Sequence, residues 1–396
     1  MSPIPIEPNL LATRLVEWLE ANRQNMVEAA VELARHESPS SDRVALENLA
    51  TLVRQRFQDA GATVESLTVG NSAPNLKLRF GTPAVPGQRS VLVLGHYDTV
   101  WPLGTLETMP IRLEGSRLFG PGLYDMKAGL IIFEFALRAI TALGQTPAQP
   151  VHGLITCDEE IGSPSSRELI ETEARNACYA LVLEAPLADG RLKTTRKGVG
   201  AYVLEIQGRA AHAGVEPEKG VNAFLELAHQ ILAIYALACP EQGTTVNIGL
   251  IEGGLASNII PPHATAKIDV RVSTAEEADR IDAALRALSP VLPEAKLTVS
   301  GGLNRPPMVR TNAAGQLFER ARTLGHLLGV SLGEGGTGGG SDGNFTAALG
   351  IPTLDGLGCA GAGAHATHEQ ILVDSLPVHA ALLALLILNP DLEHAR

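Results

Sequence analysis

The spacing of hydrophobic residues predicts a layered arrangement of helices and strands in the first half of the chain. Residues 10–35 place apolar side chains at helical spacing, which predicts one or two amphipathic helices. The aliphatic runs at 90–96, 151–157 and 179–185 fit strands that are buried on both faces. The run at 127–143 predicts a mostly buried helix. This alternation predicts an α/β fold with a parallel or mixed sheet covered by helices.

The order of predicted strands and helices changes near Gly198. Between 198 and 308 the predicted elements follow the order β-α-β-β-α-β, the ferredoxin-like pattern, and the strands alternate between apolar and polar residues. Alternation of helices and strands resumes after the segment NRPP (304–307). The sequence therefore predicts one α/β domain in two parts, 1–197 and 309–396, with a smaller unit inserted at 198–308.

Composition and charge exclude several classes of protein. The chain has 396 residues and a formal net charge of −12, so its long-range field would repel a nucleic acid or an anionic membrane. We see neither a basic and apolar leader nor an uninterrupted run of about 18 apolar residues, so we expect no secretory signal and no membrane span. The four cysteines lack CxxC spacing, which favours reduced thiols in a cytoplasmic protein.

Histidines and acidic residues follow several of the predicted strands or lie in loops near them. These candidates are His96 and Asp98 in GHYD, Asp125 in YDMK, Glu159 and Glu160 in DEEIGS, Glu184 in LEAP, and His365 and His368 in GAHATHE. Taken singly, each is more often a surface or turn residue than a ligand. In open α/β sheets, however, ligands bind beyond the carboxyl ends of the strands, and five coincidences at that edge are improbable. The set suits two divalent ions about 3.5–4 Å apart with a bridging carboxylate.

These motifs, in this order and spacing, resemble the dinuclear zinc peptidase family that includes glutamate carboxypeptidase, aminoacylase, acetylornithine deacetylase and succinyl-diaminopimelate desuccinylase. The resemblance covers nearly the whole chain. It implies that the two-part domain is a mixed-sheet zinc-peptidase catalytic domain. It also implies that the inserted ferredoxin-like α+β unit is a lid and dimerisation domain, and that the protein is a homodimer. The implied cofactor is a pair of Zn²⁺ ions, with Co²⁺ or Mn²⁺ as alternatives.

The resemblance assigns roles within the metal site. It implies that one zinc is bound by His96 and Glu184, that the second is bound by Glu160 and His365, and that both are bridged by Asp125. His365 is preferred to His368 because it directly follows the run GAGA, as the ligand of the family does.

Two further roles and one backbone feature follow from the same resemblance. Glu159 would be the general base, and Asp98 would accept the second ring N–H of His96. Such a hydrogen bond sets the imidazole tautomer and raises its basicity as a ligand. A cis peptide bond is expected after Asp125.

A second set of candidates lies in the inserted unit and in the loop that follows it. The resemblance implies that His212 stabilises the oxyanion, presented in dimers from the neighbouring subunit. It also implies that Asn258 and Arg271 bind the substrate carbonyl and its free carboxylate. Gly340 belongs to a glycine-rich loop before a helix, which predicts an anion cradle of N–H groups, with a flexible surface loop as the alternative.

The expected function is hydrolysis of an amide bond next to a free carboxylate, releasing a C-terminal amino acid as glutamate carboxypeptidase does. A metal-bound hydroxide would attack, with Glu159 as the base. Met126 stands where many glutamate carboxypeptidases carry a second acid, which keeps an N-acyl-amino-acid deacylase or a di- or tripeptidase open. A non-enzymatic metal-binding relative is disfavoured, because ligation alone does not need Glu159. The expected partners are a small peptide or N-acyl amino acid and a second copy of the chain.

Overall fold

The computed structural model describes residues 7–81 and 87–389, which form two compact units. The first unit takes the chain up to Thr195, then Arg310–Gly336 and the chain from Ser341, and the second takes Arg196–Val309 and Thr337–Gly340. The short segment Thr337–Gly340 thus joins the second unit, although the sequence places it in the second part of the catalytic domain. Within the described residues we find no helix that is both long and apolar enough to cross a membrane.

The α-helices alternate with strands along most of the chain. In chain order they are α1 (Pro8–Ala21), α2 (Arg23–Arg35), α3 (Arg43–Asp59), α4 (Thr105–Thr108), α5 (Ala128–Ala142), α6 (Arg167–Arg175), α7 (Ala223–Tyr235), α8 (Ala275–Arg286), α9 (Asn312–Leu327), α10 (Gly343–Ala348) and α11 (Leu376–Leu388). The amphipathic pattern at 10–35 therefore forms two helices, which meet at Asn22.

The strands are short in the first unit and longer in the second. In chain order they are β1 (Thr63–Leu67), β2 (Asn75–Phe80), β3 (Ser90–His96), β4 (Arg112–Glu114), β5 (Arg117–Phe119), β6 (Val151–Thr156), β7 (Ala177–Val182), β8 (Leu192–Arg196), β9 (Gly198–Gln207), β10 (Thr245–Gly253), β11 (His263–Val272), β12 (Lys296–Arg305), β13 (Glu334–Thr337), β14 (Thr353–Leu354), β15 (Gly361–Ala362) and β16 (Gln370–Leu372).

A mixed sheet forms the centre of the first unit, in the order β1-β2-β6-β3-β7-β14. Strand β3 runs parallel to both of its neighbours, β6 and β7, whereas β2 runs antiparallel to β6. Every residue of β3 is buried, as its unbroken aliphatic run predicts. Helices α5 and α11 pack against each other in the same hydrophobic core. The predicted mixed α/β sheet is therefore confirmed.

The parallel central strands bring distant parts of the sequence to one edge of this sheet. Strand β3 ends with His96, β6 ends shortly before Glu159 and Glu160, and β7 ends shortly before Glu184. Because parallel strands have their carboxyl ends at the same edge, these four side chains start from neighbouring positions.

The second unit has its own antiparallel sheet, in the order β10-β11-β9-β12. Helix α7 follows β9 and α8 follows β11, which confirms the β-α-β-β-α-β order predicted from the sequence. Buried and more exposed residues alternate along β9, so one face of the sheet packs with α7 and α8 into a separate core. Strand β10 lies at one edge of the sheet.

Candidate metal centre

The first group of candidate ligands surrounds His96 at the end of β3 and includes the carboxylates of Asp125 and Glu184. The imidazole of His96 is 1% exposed. The Nε2 atom lies 3.3 Å from Oδ1 of Asp125 and 3.3 Å from Oε1 of Glu184. Neither contact has the geometry of a hydrogen bond, and this buried Nε2 has no hydrogen-bond partner among the described residues. A buried nitrogen without a hydrogen-bond partner is unfavourable, and a bound metal ion would satisfy it.

The second group of candidate ligands surrounds His365 and includes the carboxylates of Asp125 and Glu160. Nε2 of His365 lies 3.3 Å from Oδ2 of Asp125 and 3.3 Å from Oε2 of Glu160. The backbone of His365 has a φ of 59°, a left-handed conformation that costs a non-glycine residue about 1–3 kcal/mol and that clusters at functional sites. Asp125 therefore reaches both histidines, one with each carboxylate oxygen.

The distances in both groups fit a bound metal. Two ligand atoms that are each about 2.0–2.1 Å from one zinc lie about 3.3 Å apart at the tetrahedral angle. All four histidine–carboxylate distances are 3.3 Å. Because the two groups share Asp125, the arrangement can hold two divalent cations side by side.

The carboxylates give this centre a strongly negative potential. Burial lowers the pKa of His96, but the carboxylates around it, that of Asp125 foremost, outweigh burial and raise this pKa well above its usual value. The carboxylates of Asp125 and Glu160 raise the pKa of His365 to about 10. Burial works against ionisation of Asp125, yet His365 and His96 hold its pKa below the usual range. The centre attracts positive charge, and a metal that binds there displaces protons from the imidazoles.

Asp98 orients both His96 and the acid pair. The Nδ1 atom of His96 lies 3.0 Å from the main-chain carbonyl oxygen of Asp98 and 3.3 Å from its Oδ1. The Asp98 carboxylate also accepts hydrogen bonds of 3.2 Å from the main-chain N–H groups of Glu159 and Glu160, and one of 2.7 Å from the Ser40 hydroxyl. The sequence assigns only the imidazole contact to Asp98, and the structure adds that Asp98 fixes the segment that carries the acid pair.

The two acids of that pair differ in their neighbours. Glu159 is half-buried and opens the short 3₁₀ turn Glu159–Ile161. One of its carboxylate oxygens lies within 4.8 Å of ligand atoms of His96 and Glu184. Glu160 contacts His365, as described above, and also has an oxygen within 4.8 Å of ligand atoms of His96 and Asp125. The two acids thus share His96 as a neighbour, and Glu160 adds a contact with His365.

Sequence reasoning misses one buried acid beside this centre. Glu369 is 0% exposed and binds the main chain of the loop that leads to Asp125. Its only signal in the sequence is its position shortly after His365 in HATHEQ. The peptide bond between Asp125 and Met126 is cis, as the resemblance implies.

In the second unit the structure brings His212 and Asn258 together. The main-chain N–H of Ala213 donates to the carbonyl oxygen of Asn258 at 2.9 Å, and His212 forms an isolated β-bridge with Ile259. The His212 side chain is exposed, and its Nδ1 accepts a hydrogen bond of 3.1 Å from the N–H of Gly214. Because Nδ1 accepts, the proton of the neutral imidazole lies on Nε2, from which it can be donated to a ligand.

Arg271 already has a partner on its own strand. Its guanidinium donates two hydrogen bonds of 2.8 Å to the carboxylate of Asp269, and Nη1 lies 3.3 Å from the carbonyl oxygen of Gly338. The sequence offers Asp269 as a neighbour, since residues two apart on a strand share a face. A substrate carboxylate at Arg271 has to share the guanidinium with Asp269.

The glycine-rich loop satisfies several of its own main-chain N–H groups. The main-chain N–H groups of Gly339, Ser341 and Gly343 each donate to a side chain of the same loop or of the residues that follow it. The carbonyl oxygen of Gly340 accepts a hydrogen bond of 3.0 Å from Arg196. Three N–H groups near Gly340 are therefore already paired, and the anion cradle at Gly340 itself stays a prediction.

A carboxylate shared between two histidine–carboxylate groups is what a dinuclear metal-dependent hydrolase requires, and the fold places it where α/β enzymes bind their ligands. The chain belongs to Peptidase family M20/M25/M40, whose sequence profile matches residues 92–389. This result confirms the family predicted from the motifs. The protein is a metallopeptidase, and metal binding is typical of the family.

The relatives of the chain carry several activities. Carboxypeptidase G2 of Pseudomonas sp. (strain RS-16) is 33% identical over 308 residues, which is 76% of this chain and 74% of that protein. Succinyl-diaminopimelate desuccinylase of Dechloromonas aromatica is 28% identical over 349 residues, or 83% of this chain and 89% of that protein.

Solved structures confirm the predicted fold. Aminopeptidase PepT from Bacillus cereus matches with a TM-score of 0.74 at 24% identity, over 95% of this chain and 99% of that one. A family M20 metallo-carboxypeptidase from Sulfolobus solfataricus matches with a TM-score of 0.74 at 17% identity, over 92% of this chain and 99% of that one. Because one fold serves an aminopeptidase and a carboxypeptidase, the fold alone does not decide the substrate.

Proposed function

We propose that this protein is a dinuclear metallo-carboxypeptidase, which cleaves an amide bond next to a free carboxylate and releases a C-terminal amino acid. The observation that carries the proposal is the shared carboxylate of Asp125, whose two oxygens lie 3.3 Å from Nε2 of His96 and 3.3 Å from Nε2 of His365. A site for a single ion needs no such sharing. The similarity to carboxypeptidase G2 supports the carboxypeptidase branch.

The proposed ligands divide into two sets that share one member. One ion is held by His96, Asp125 and Glu184, and the other by Asp125, Glu160 and His365. Zinc suits imidazole and carboxylate ligands best, and cobalt or manganese can replace it. When bound, the two ions lower the pKa of a water molecule and polarise the scissile carbonyl group.

In this proposal Glu159 is the general base. Asp98 holds the main chain of Glu159 through the hydrogen bond of 3.2 Å to its N–H, and the Glu159 carboxylate faces the His96 group. Glu159 accepts a proton from the attacking water and then passes it to the leaving nitrogen.

Residues of the second unit bind the substrate. His212 donates from Nε2 to the carbonyl oxygen as negative charge develops there, with Asn258 beside it. Arg271 binds the substrate carboxylate in exchange for part of its contact with Asp269. The side chains of this pair are 31% and 43% exposed, and exposed ion pairs contribute only about 0–1 kcal/mol, so the exchange costs little.

We expect the purified protein to bind two equivalents of zinc and to hydrolyse peptidyl and N-acyl amino acids only when their carboxylate is free. The physical reason is the charge-assisted pairing of Arg271 with a carboxylate, which an amide cannot provide. Metal analysis and a panel of N-acyl amino acids and dipeptides, each with its C-terminally amidated counterpart, measure both expectations. Chelation should abolish turnover, and added zinc should restore it.

The same panel separates the remaining activities. Equal rates on free acids and amides would contradict recognition of the carboxylate. A requirement for a free N-terminal amine would identify a di- or tripeptidase. A preference for short acyl groups over peptidyl groups would identify an N-acyl-amino-acid deacylase.

An apolar patch on the second unit supports assembly into a homodimer. The patch consists of exposed residues of α7 and of the edge strand β10, namely Phe224, Leu225, Leu232, Tyr235, Leu250 and Ile251. Helix α7 packs against β10, so the two elements form one surface. An exposed apolar face beside an open strand edge suits pairing with a second copy across a two-fold axis.

Leu232→Glu is expected to convert the dimer to a monomer. Leu232 is 72% exposed in the single chain, so a charge there leaves the folded monomer intact but would be buried without a partner in the dimer. Sedimentation velocity at several protein concentrations measures the change. Val44→Glu in α3, where the native side chain is 66% exposed, is the matched control outside the patch and should remain dimeric. A wild-type protein that is monomeric at all concentrations would contradict the assembly.

A further inference from the structure

The carboxylate of Glu369 accepts four hydrogen bonds from N–H groups between residues 101 and 125. Oε2 accepts hydrogen bonds of 2.9 Å from the N–H of Gly122 and 2.7 Å from the indole N–H of Trp101. Oε1 accepts hydrogen bonds of 2.9 Å from the N–H of Tyr124 and 3.1 Å from the N–H of Asp125. Each carboxylate oxygen thus accepts two N–H donors, which fills its acceptor positions.

Three of these four donors belong to the loop that ends at Asp125. This loop is irregular, and its two glycines, Gly120 and Gly122, have φ values of 159° and 69°. Glu369 accepts hydrogen bonds from three main-chain N–H groups of this loop, which the irregular backbone leaves pointing toward the carboxylate. A fourth bond joins the main chains, because the N–H of Gly120 donates to the carbonyl oxygen of Glu369 at 3.2 Å.

Glu369 also belongs to the segment that carries His365. The N–H of Glu369 donates to the carbonyl oxygen of Ala366 at 2.9 Å, and the N–H of Ala366 donates to that of Gly363 at 2.9 Å. These turns fix the position of Glu369 relative to His365. The Glu369 carboxylate consequently joins two segments whose side chains, His365 and Asp125, meet at the candidate metal centre.

We propose that Glu369 is a positioning residue that sets the placement of Asp125 relative to His365 and thereby determines the affinity of the centre for the cation that these two residues share. The inference rests on the proposed function, because it assumes that Asp125 and His365 bind a metal. Glu369 touches neither substrate nor metal in this assignment. It acts through the main chain of the loop that ends at Asp125.

Glu369→Gln provides the test, because glutamine keeps the shape but replaces one accepting oxygen by an NH₂ group. That group would face two N–H donors, so two hydrogen bonds are lost and the loop is repelled. Protein stripped with a chelator and titrated with Zn²⁺ or Co²⁺ should bind at least one of the two ions about 10–100-fold more weakly than wild type, the range typical for groups that orient ligands. The absorption spectrum of the Co²⁺-loaded variant should change as well.

Glu226→Gln is the matched control. Glu226 is also 0% exposed, and it accepts hydrogen bonds from the N–H groups of Val291 and Leu292 in the second unit. This variant should lose stability in the metal-free state but bind both ions as wild type does. Trp101→Phe removes one of the four donors to Glu369 and should weaken metal binding in the same direction by a smaller factor.

Two results would overturn the inference. If Glu369→Gln lost only stability, with both ions bound at wild-type affinity, Glu369 would be a purely structural residue like Glu226. If Glu369→Gln failed to fold, unchanged metal affinity in Trp101→Phe would decide against the inference in the same way. The proposed function itself fails differently, since wild-type protein would then take up no metal at all.

Discussion

Replacing Glu159 by alanine is expected to lower kcat by ~10²–10⁴-fold while both metal ions stay bound, which is the range that a positioned general base contributes. Glu160 contacts His365 at 3.3 Å and is assigned as a ligand, whereas the proposal assigns the Glu159 carboxylate to the attacking water. The variant keeps the main-chain N–H that donates to Asp98 at 3.2 Å. The fold around the acid pair should therefore survive. Steady-state kinetics together with metal analysis of the same preparation measures both halves of the expectation.

Glu160→Ala is the natural comparison, because it changes the next residue in the same turn. Oε2 of Glu160 lies 3.3 Å from Nε2 of His365, so this variant should lose a ligand and bind the ion on the His365 side more weakly. Glu159 also has an oxygen within 4.8 Å of ligand atoms of His96 and Glu184. If Glu159→Ala lost metal as Glu160→Ala does, Glu159 would be a ligand and the proposed base would have to be assigned elsewhere.

The location of the metal centre could be predicted because it depends on where individual strands end, and those ends are visible in short stretches of sequence. The aliphatic run at 90–96 identifies a buried strand, and the change to GHYD marks where it ends, at His96. Parallel strands then bring Glu160 and Glu184 to the same edge by topology alone. The β-α-β-β-α-β order of the second unit was equally visible, since each element has its own hydrophobic period.

Contacts between segments that are remote in sequence could not be predicted. Nothing in HATHEQ distinguishes Glu369 from its neighbours, and its importance appears only when Gly122 and Trp101 are placed against it. The glycine-rich loop shows the same limit. Composition indicates free N–H groups, but the hydrogen bonds that satisfy some of them, such as that of Ser341 to Asn344, are set by the folded geometry.

His212→Ala is expected to lower kcat by about 10²–10³-fold, the usual effect of removing one donor to a developing oxyanion. The hydrogen bond from Gly214 to Nδ1 leaves the Nε2 proton available, and an exposed side chain loses little packing on truncation. Metal content and stability should therefore stay at wild-type levels. His263→Ala, at an exposed histidine of the same unit, is the matched control and should remain active.

The same variant decides which subunit supplies the donor. If His212 acts on the site of its partner, a mixed dimer of His212→Ala and Glu159→Ala chains contains one complete site, with Glu159 from the first chain and His212 from the second. Random mixing makes half of the dimers mixed, so about a quarter of wild-type activity should return. If His212 acts within its own chain, every site in the mixture lacks one of the two groups and activity stays at the level of the separate variants. Heterodimers purified with two different affinity tags remove the dependence on mixing, and no recovery in that preparation would show that each chain uses its own His212.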